Sequence, residues 1–313
     1  MEKKGKKGRM DYTLLLIVVL LVVIGLVILY STSAYNGQVK FHDSFYYLKK
    51  QAFATVLGIV LMLFVAGMDY HIWQRLAVFG YLAAVALSVA VMLFGREING
   101  SKRWLALGPF SFQPSEFAKV ALILFLADLV TKNVKTIGKM WTLCRIMFWI
   151  LPIVGLVGAS NLSTAIIILG IGVILIFVAS PKYAQFALMG LAGACFMGIF
   201  LALESYRLER LAIWRNPEKY EKGYQTLQGL YAIGSGGVFG VGIGNSVQKL
   251  GFVPEAQNDM IFSIICEELG LAGAGIIVFL FLLLIWRFFL IASESRDLFG
   301  ALIATGAMAH MMI

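Results

Sequence analysis

Residues 12–33 read YTLLLIVVLLVVIGLVILYSTS, without one charged side chain. A helix crossing a bilayer needs about 20 mostly apolar residues, because in lipid the backbone must satisfy its own hydrogen bonds. This run meets that length. It is too long for a cleaved signal peptide, and no small-residue cleavage site followed by a soluble domain comes after it, so it reads as a permanent first span. Working outward, the same test finds runs at 48–66, 76–94, 115–131, 145–158, 162–179, 184–204, 261–288 and from near 299. The fifth is short and interrupted by Pro152 and Gly155. The chain stops at Ile313 inside an apolar run, which predicts a truncated C-terminus or an incomplete last span. The expected fold is therefore all-α: a polytopic integral membrane bundle of about nine spans. We expect one membrane domain over 1–313, with a basic tail at 1–11 and a large outer loop at 205–260 between spans seven and eight.

Composition agrees. Of 313 residues, 60% are hydrophobic and 14% charged, against about 45–50% and about 25% in soluble domains. An ordinary cytosolic enzyme, a disordered protein and a disulfide-stapled scaffold are excluded. Cys144, Cys195 and Cys266 sit in or beside apolar runs and read as small apolar fillers. His42, His71 and His310 are scattered, which argues against a histidine metal site. The net charge of +9 is largely a topology signal. Lys3, Lys4, Lys6, Lys7 and Arg9, and then Lys132, Lys135, Lys139 and Arg145, fall on one side if spans alternate. The positive-inside rule makes that side the cytoplasm, and a nucleic-acid partner is not needed to explain the charge.

Two outer segments break the charge rule. The first, 95–114, carries Arg96, Lys102 and Arg103 and leads into Gln113-Pro-Ser-Glu116-Phe-Ala-Lys119. Gly95, Gly100, Ser101 and Lys102 only superficially resemble a P-loop: the Lys and Ser are reversed and no strand precedes them. Trp104 suits a membrane-interface anchor. Pro114 can open a helix with Glu116 in its first turn, which puts Glu116 and Lys119 on one face. Charges inside a span cost about 2.5–3.5 kcal/mol each on insertion scales. The pair is either a structural ion pair or the lining of a polar cavity open to an anionic ligand.

The second segment, 205–260, is too long for a plain connector. Residues 206–215 read as an interfacial amphipathic helix. The glycines of 223–246 do not match a dinucleotide fingerprint. They form either a tight loop folded over the membrane or a backbone cradle for phosphate. In Pro254-Glu255-Ala-Gln-Asn258-Asp259, Asn258 or Asp259 either caps the next helix or presents an acid at the outer face. Glu267 and Glu268 follow about two turns deeper, either protonated or paired. Asp69, Asp128, Arg287, Glu294, Arg296 and Asp297 fall near span ends and read as interfacial.

Three stretches, Arg103-Trp104…Gln113-Pro-Ser-Glu116-Phe-Ala-Lys119, Gly234-Ser-Gly-Gly…Gly240 and Pro254-Glu255…Asp259-x-Ile-Phe…Glu267-Glu268-Leu-Gly270, together resemble the SEDS family of FtsW, RodA and SpoVE. Asn99-Gly100-Ser101 and the spacing around Asp259 look closer to the FtsW/SpoVE branch. The resemblance implies a ten-span protein of the bacterial inner membrane with a cytoplasmic N-terminus. It implies a peptidoglycan glycosyltransferase that polymerises lipid II with a divalent cation, Mg²⁺ or Mn²⁺. It implies a class B penicillin-binding protein as cross-linking partner, and other division or sporulation membrane proteins besides. The family's essential aspartate maps onto Asp259. The family's membrane Glu and Lys map onto Glu116 and Lys119 and a loop Gln onto Gln228; these three, with Arg103 and Glu255, are the candidate substrate-binding residues, and metal ligands are not assigned. There are departures. Ser111 stands where many members carry a basic residue, Gly251 where some carry Glu, and Asn161 where Asp is common. A C-terminal Pro-Phe-x-Ser-x-Gly-Gly run is absent from the sequence. The rival readings are a lipid II flippase and a non-catalytic divisome scaffold.

Overall fold

The computed structural model describes residues 10–98, 101–107, 110–187, 190 and 212–313. Its helices are α1 Tyr12–Phe41, α2 Tyr46–Ala66, α3 His71–Phe94, α4 Pro114–Asn133, α5 Met140–Gly158, α6 Leu162–Ala179, α7 Tyr224–Gly236, α8 Ile261–Ser293 and α9 Leu298–Met312. Among the described residues, α1, α2, α3, α5, α6 and α8 are long and apolar enough to cross a membrane. α4 has the length but is punctuated by Glu116, Lys119, Asp128 and Lys132. The expected run 184–204 and the amphipathic stretch 206–215 lie largely outside the described residues.

Three expectations change. α5 is neither short nor interrupted: it starts at Met140 and runs through Pro152 to Gly158. In an apolar surround a helix tolerates the bond that proline removes, because neighbouring helices re-satisfy the freed group. The 95–114 loop contains an antiparallel sheet of β1 Arg96–Ile98, β2 Ser101–Leu107 and β3 Phe110–Phe112, with Glu97 opposite Lys102 and Ala106 opposite Ser111. The Asn99-Gly100 dipeptide between β1 and β2 is a strong hairpin signal that the span search passed over. The glycine-rich stretch is not all loop, since its first half is α7.

Close packing divides the chain into two compact units, Met1–Gly67 with Ala194–Leu284 and Met68–Gly193 with Ile285–Ile313. In the first, α1 and α2 form a hairpin. His42 ends α1 in the left-handed region, and Asp43 accepts from the Phe45 N–H and from Lys49. α2 buries none of its residues within the protein, as suits a helix facing lipid.

In the second unit α4 packs against α3, α5, α6 and α9. α3 offers it Ala77, Tyr81, Ala84, Ser88 and Val91, a stripe at helical spacing. Asp128, near the end of α4, is 3% exposed and takes hydrogen bonds from Gln74 at 3.0 Å and Lys132 at 2.6 Å. Where α3 and α9 begin, Tyr70 donates to Asp297, and His71 lies 2.7 Å from Asp69 and 3.5 Å from Asp297. Burial and the neighbouring carboxylate push the Tyr70 phenol up to about 12. Burial alone would raise Asp297, but hydrogen bonds from Tyr70 and the Gly300 N–H hold it below the usual carboxylate range.

Candidate active site

The first unit is organised by a break in α8. At Gly270 the backbone turns to φ 68°, ψ −173°. In an unbroken helix the carbonyls of Glu267 and Glu268 would accept from the N–H groups of Leu271 and Ala272. Here the glycine-rich segment after α7 takes both halves of those bonds. The Val241 and Gly242 N–H groups donate to the Glu267 and Glu268 carbonyls at 3.0 and 2.9 Å. Leu271 and Ala272 donate to the carbonyls of Gly237 and Val238, both at 3.0 Å. The segment is thus spliced into the helix ladder, and the four backbone groups freed at these positions keep partners. Glycine is required where the two segments touch. A Cβ on Gly240 would lie 2.2 Å from the Glu268 carbonyl oxygen, and one on Gly270 would lie 2.4 Å from the Gly240 nitrogen.

The side chains beside the break lock the same loop. Glu267, 3% exposed, accepts from the Ser246 hydroxyl at 2.5 Å and from the Val247 N–H at 3.0 Å. Glu268, 3% exposed, accepts from Lys249 Nζ at 2.6 Å and from Ser31 Oγ of α1 at 2.7 Å. Lys249 Nζ also donates to Ser31 Oγ at 3.0 Å. Of the two readings of these glutamates, the structure supports partnered side chains.

Beyond Lys249 the chain reverses through Gly251 and Glu255, at φ 107° and 52°. Val253 and Ala256 are buried inward, and Gln257 accepts from Asn36 of α1 at 2.9 Å. This leaves Glu255, Asn258 and Asp259 exposed. The Asn258 N–H donates to the Glu255 carbonyl at 2.9 Å, and its side chain donates to Glu255 Oε2 at 2.7 Å. Asp259 is not the helix cap that one sequence reading allowed. Among the described residues no N–H of the first turn of α8 donates to its carboxylate; the Ile261 N–H goes to the Asn258 carbonyl. Gln228 is half-buried on α7. The fold therefore brings Glu255 and Asp259 onto one exposed turn, anchored by buried Lys249 before it and by buried Gln257 within it. No group of three His, Cys, Asp or Glu among the described residues could hold a metal ion.

The second unit holds Glu116, Lys119 and Arg103. Pro114 opens α4, so Glu116 and Lys119 pair at 2.9 Å. The lysine side chain is 9% exposed and the glutamate 55%. Ser88, Arg103, Gln113, Ser115, Ser160 and Asn161 line a small crevice at the start of α4 together with the apolar Val91, Pro114, Leu156 and Val157. Arg103 Nε donates to the Ser160 carbonyl at 3.1 Å. Asn161, the departure from the usual Asp, caps α6 by accepting from the Thr164 N–H at 3.3 Å. Sequence reading missed His310. On α9 it lies within electrostatic reach of Lys119 and Glu116, and its buried Nδ1 has no hydrogen-bond partner among the described residues. Nothing local in the sequence links it to positions so far upstream.

The burial asymmetry of the pair predicts unequal mutants. Glu116→Gln leaves a buried ammonium without its counter-charge and should cost about 1–3 kcal/mol. Lys119→Met leaves a carboxylate already in contact with solvent and should cost less than about 1 kcal/mol. Thermal unfolding in detergent ranks the two; the opposite order would refute the assigned burial.

The profile of the FtsW/RodA/SpoVE family, described as cell cycle proteins, matches residues 12–313. Stage V sporulation protein E of Bacillus subtilis is 37% identical, over 98% of this chain and 86% of its own length. A probable peptidoglycan glycosyltransferase FtsW of Trichlorobacter lovleyi is 33% identical, over 98% and 82%. Among solved structures, a peptidoglycan synthase complex described as coordinating polymerization and crosslinking superposes with a TM-score of 0.77. It is 28% identical, over 96% of this chain and 83% of that one. The rod shape determining protein RodA of Thermus thermophilus superposes at 0.68 with 26% identity, over 96% and 81%.

Proposed function

The chain belongs to the FtsW/RodA/SpoVE family of multi-pass membrane proteins, and from that premise we infer that it is a peptidoglycan glycosyltransferase polymerising lipid II. The observation that carries the reading is the exposed Glu255–Asp259 turn, tied to α8 through Lys249 before it and to α1 through Gln257 within it. We place this turn at the outer face of the bacterial inner membrane, with the N-terminus in the cytoplasm, from the lysines and arginines of the tail and the 132–145 loop.

The reaction joins two lipid-linked disaccharides. A sugar hydroxyl attacks an anomeric carbon, the glycosidic bond forms, and polyprenyl diphosphate leaves with its electron pair. The attacking hydroxyl must lose a proton, and the leaving diphosphate needs positive charge beside it. Asp259 is the assigned base: it is exposed, and among the described residues no backbone donor of the adjoining helix turn occupies it. Lys119 and Arg103 are assigned to anionic groups of the substrate, with Glu116 orienting Lys119. Glu255 and Gln228 are assigned to sugar hydroxyls or amides. Mg²⁺ ordinarily binds through one or two carboxylates plus substrate phosphates. Glu255, and Asp259 in the alternative role of metal ligand instead of base, are the residues that would hold such an ion, and its chemistry there would be charge neutralisation of diphosphate. A class B penicillin-binding protein is the proposed partner, since glycan strands must be cross-linked.

The test uses the purified chain with that partner in detergent, where no sidedness exists. Added lipid II and Mg²⁺ should yield glycan polymer, and chelator should abolish it. A protein that moves lipid II across vesicles but makes no polymer would be a transporter.

A further inference from the structure

We propose that the buried Lys249–Glu268–Ser31 cluster is a positioning device for the segment 251–260, and through it for Asp259; the inference rests on the catalytic reading of that residue. Three separate pieces of chain meet here: α1 supplies Ser31, the turn Gln248–Leu250 supplies Lys249, and α8 supplies Glu268. Lys249 is 6% exposed, Glu268 3% and Ser31 8%. A buried ion pair is weak evidence for stability. Well-packed apolar residues of similar volume often do as well or better, whereas removing one partner strands a buried charge and is strongly destabilising. What the pair supplies and apolar side chains do not is register. A salt bridge with a shared hydroxyl fixes Lys249 to within a hydrogen-bond length on two elements at once, through contacts of 2.6 and 3.0 Å.

That register is passed on over a short distance. Lys249 is two residues from Gly251, and the Val253 N–H donates to the Gln248 carbonyl at 2.9 Å. The other end of the segment is tied at Gln257, which accepts from Asn36. Ser31 and Asn36 both belong to α1, so the segment is strung between two points on one helix, and Asp259 lies two residues past the second. Glu267 holds the preceding loop through Ser246 and Val247. A misplacement of 1 Å at a reacting group can cost about a hundredfold in rate, which makes Lys249, Ser31 and Glu268 positioning residues rather than catalytic ones.

The test compares Lys249→Met, Glu268→Gln, Ser31→Ala and the double Lys249→Met/Glu268→Leu in the full chain with its partner. The readouts are thermal midpoint, kcat and KM for lipid II, and amide hydrogen exchange. A filler role predicts damaged single variants and a double variant with wild-type kcat. The positioning role predicts a double variant that melts near wild type, with KM within about twofold and kcat lowered at least about tenfold. Exchange should accelerate in 251–260 and stay unchanged in α6. Wild-type kcat in the folded double variant, or a lowered kcat with unchanged exchange in 251–260, overturns the proposal. If the double variant does not fold, Ser31→Ala decides, since it removes one hydroxyl and no charge: faster exchange in 251–260 supports the device, and wild-type exchange overturns it. An active Asp259→Ala protein would discard the catalytic reading alone, because the exchange measurement still reports whether the cluster holds the segment.

Discussion

Asp259→Ala protein will melt like wild type and make no measurable glycan from lipid II. The two halves of that expectation have separate grounds. Asp259 is exposed, and no backbone donor of the first α8 turn depends on it. Surface substitutions of this kind usually stay within about 0.5 kcal/mol. Its proposed work as general base is worth about 10²–10⁴ in rate, and no water-exposed neighbour on the turn replaces it except Glu255, whose carboxylate is engaged by Asn258. Asp259→Asn should behave alike, because the amide keeps the shape and cannot take the proton. Polymer at near-wild-type rate from either variant would remove Asp259 from the mechanism.

Gly270→Ala will unfold the first unit or leave it incompletely packed. The backbone there occupies a region that is essentially glycine-only, at a cost of about 1–3 kcal/mol for another residue. The added Cβ would lie 2.4 Å from both the Gly240 nitrogen and the Val238 carbonyl oxygen. Both are backbone atoms, so no side chain can swing aside. Relief requires the loop to withdraw, and four loop-to-helix hydrogen bonds go with it, each worth about 1 kcal/mol. A loss of about 4 kcal/mol or more is expected in detergent unfolding. A wild-type melting profile would show that α8 does not break as described.

The spans were legible because lipid imposes one simple requirement on sequence, a long apolar run, and residues 12–33 or 162–179 meet it without help from the rest of the chain. Pro152 misled, since its usual penalty presumes a helix surrounded by water. The strands at 96–112 were hidden by a search tuned to length, although Asn99-Gly100 announced a hairpin. The residues of the candidate site were found by type and by family resemblance, but not their partners. Glu268 reaches back 237 positions to Ser31, and His310 comes near Lys119 from the far end of the sequence. Such pairings depend on how helices are arranged, which no local pattern encodes. The splice at Gly270 was similarly invisible: glycines were noted on both sides, while the exchange of helix hydrogen bonds that requires them needed coordinates.

α1 has 30 residues, which at 1.5 Å each makes a rod of about 45 Å, well beyond the roughly 30 Å oily layer. Its C-terminal turns, with Ser31 and Asn36, are where the segment 249–257 is moored. A thicker or thinner bilayer changes how far such a rod tilts or protrudes. With the topology proposed above, a change in acyl-chain length is expected to alter the tilt of the rod to which the segment 249–257 is moored.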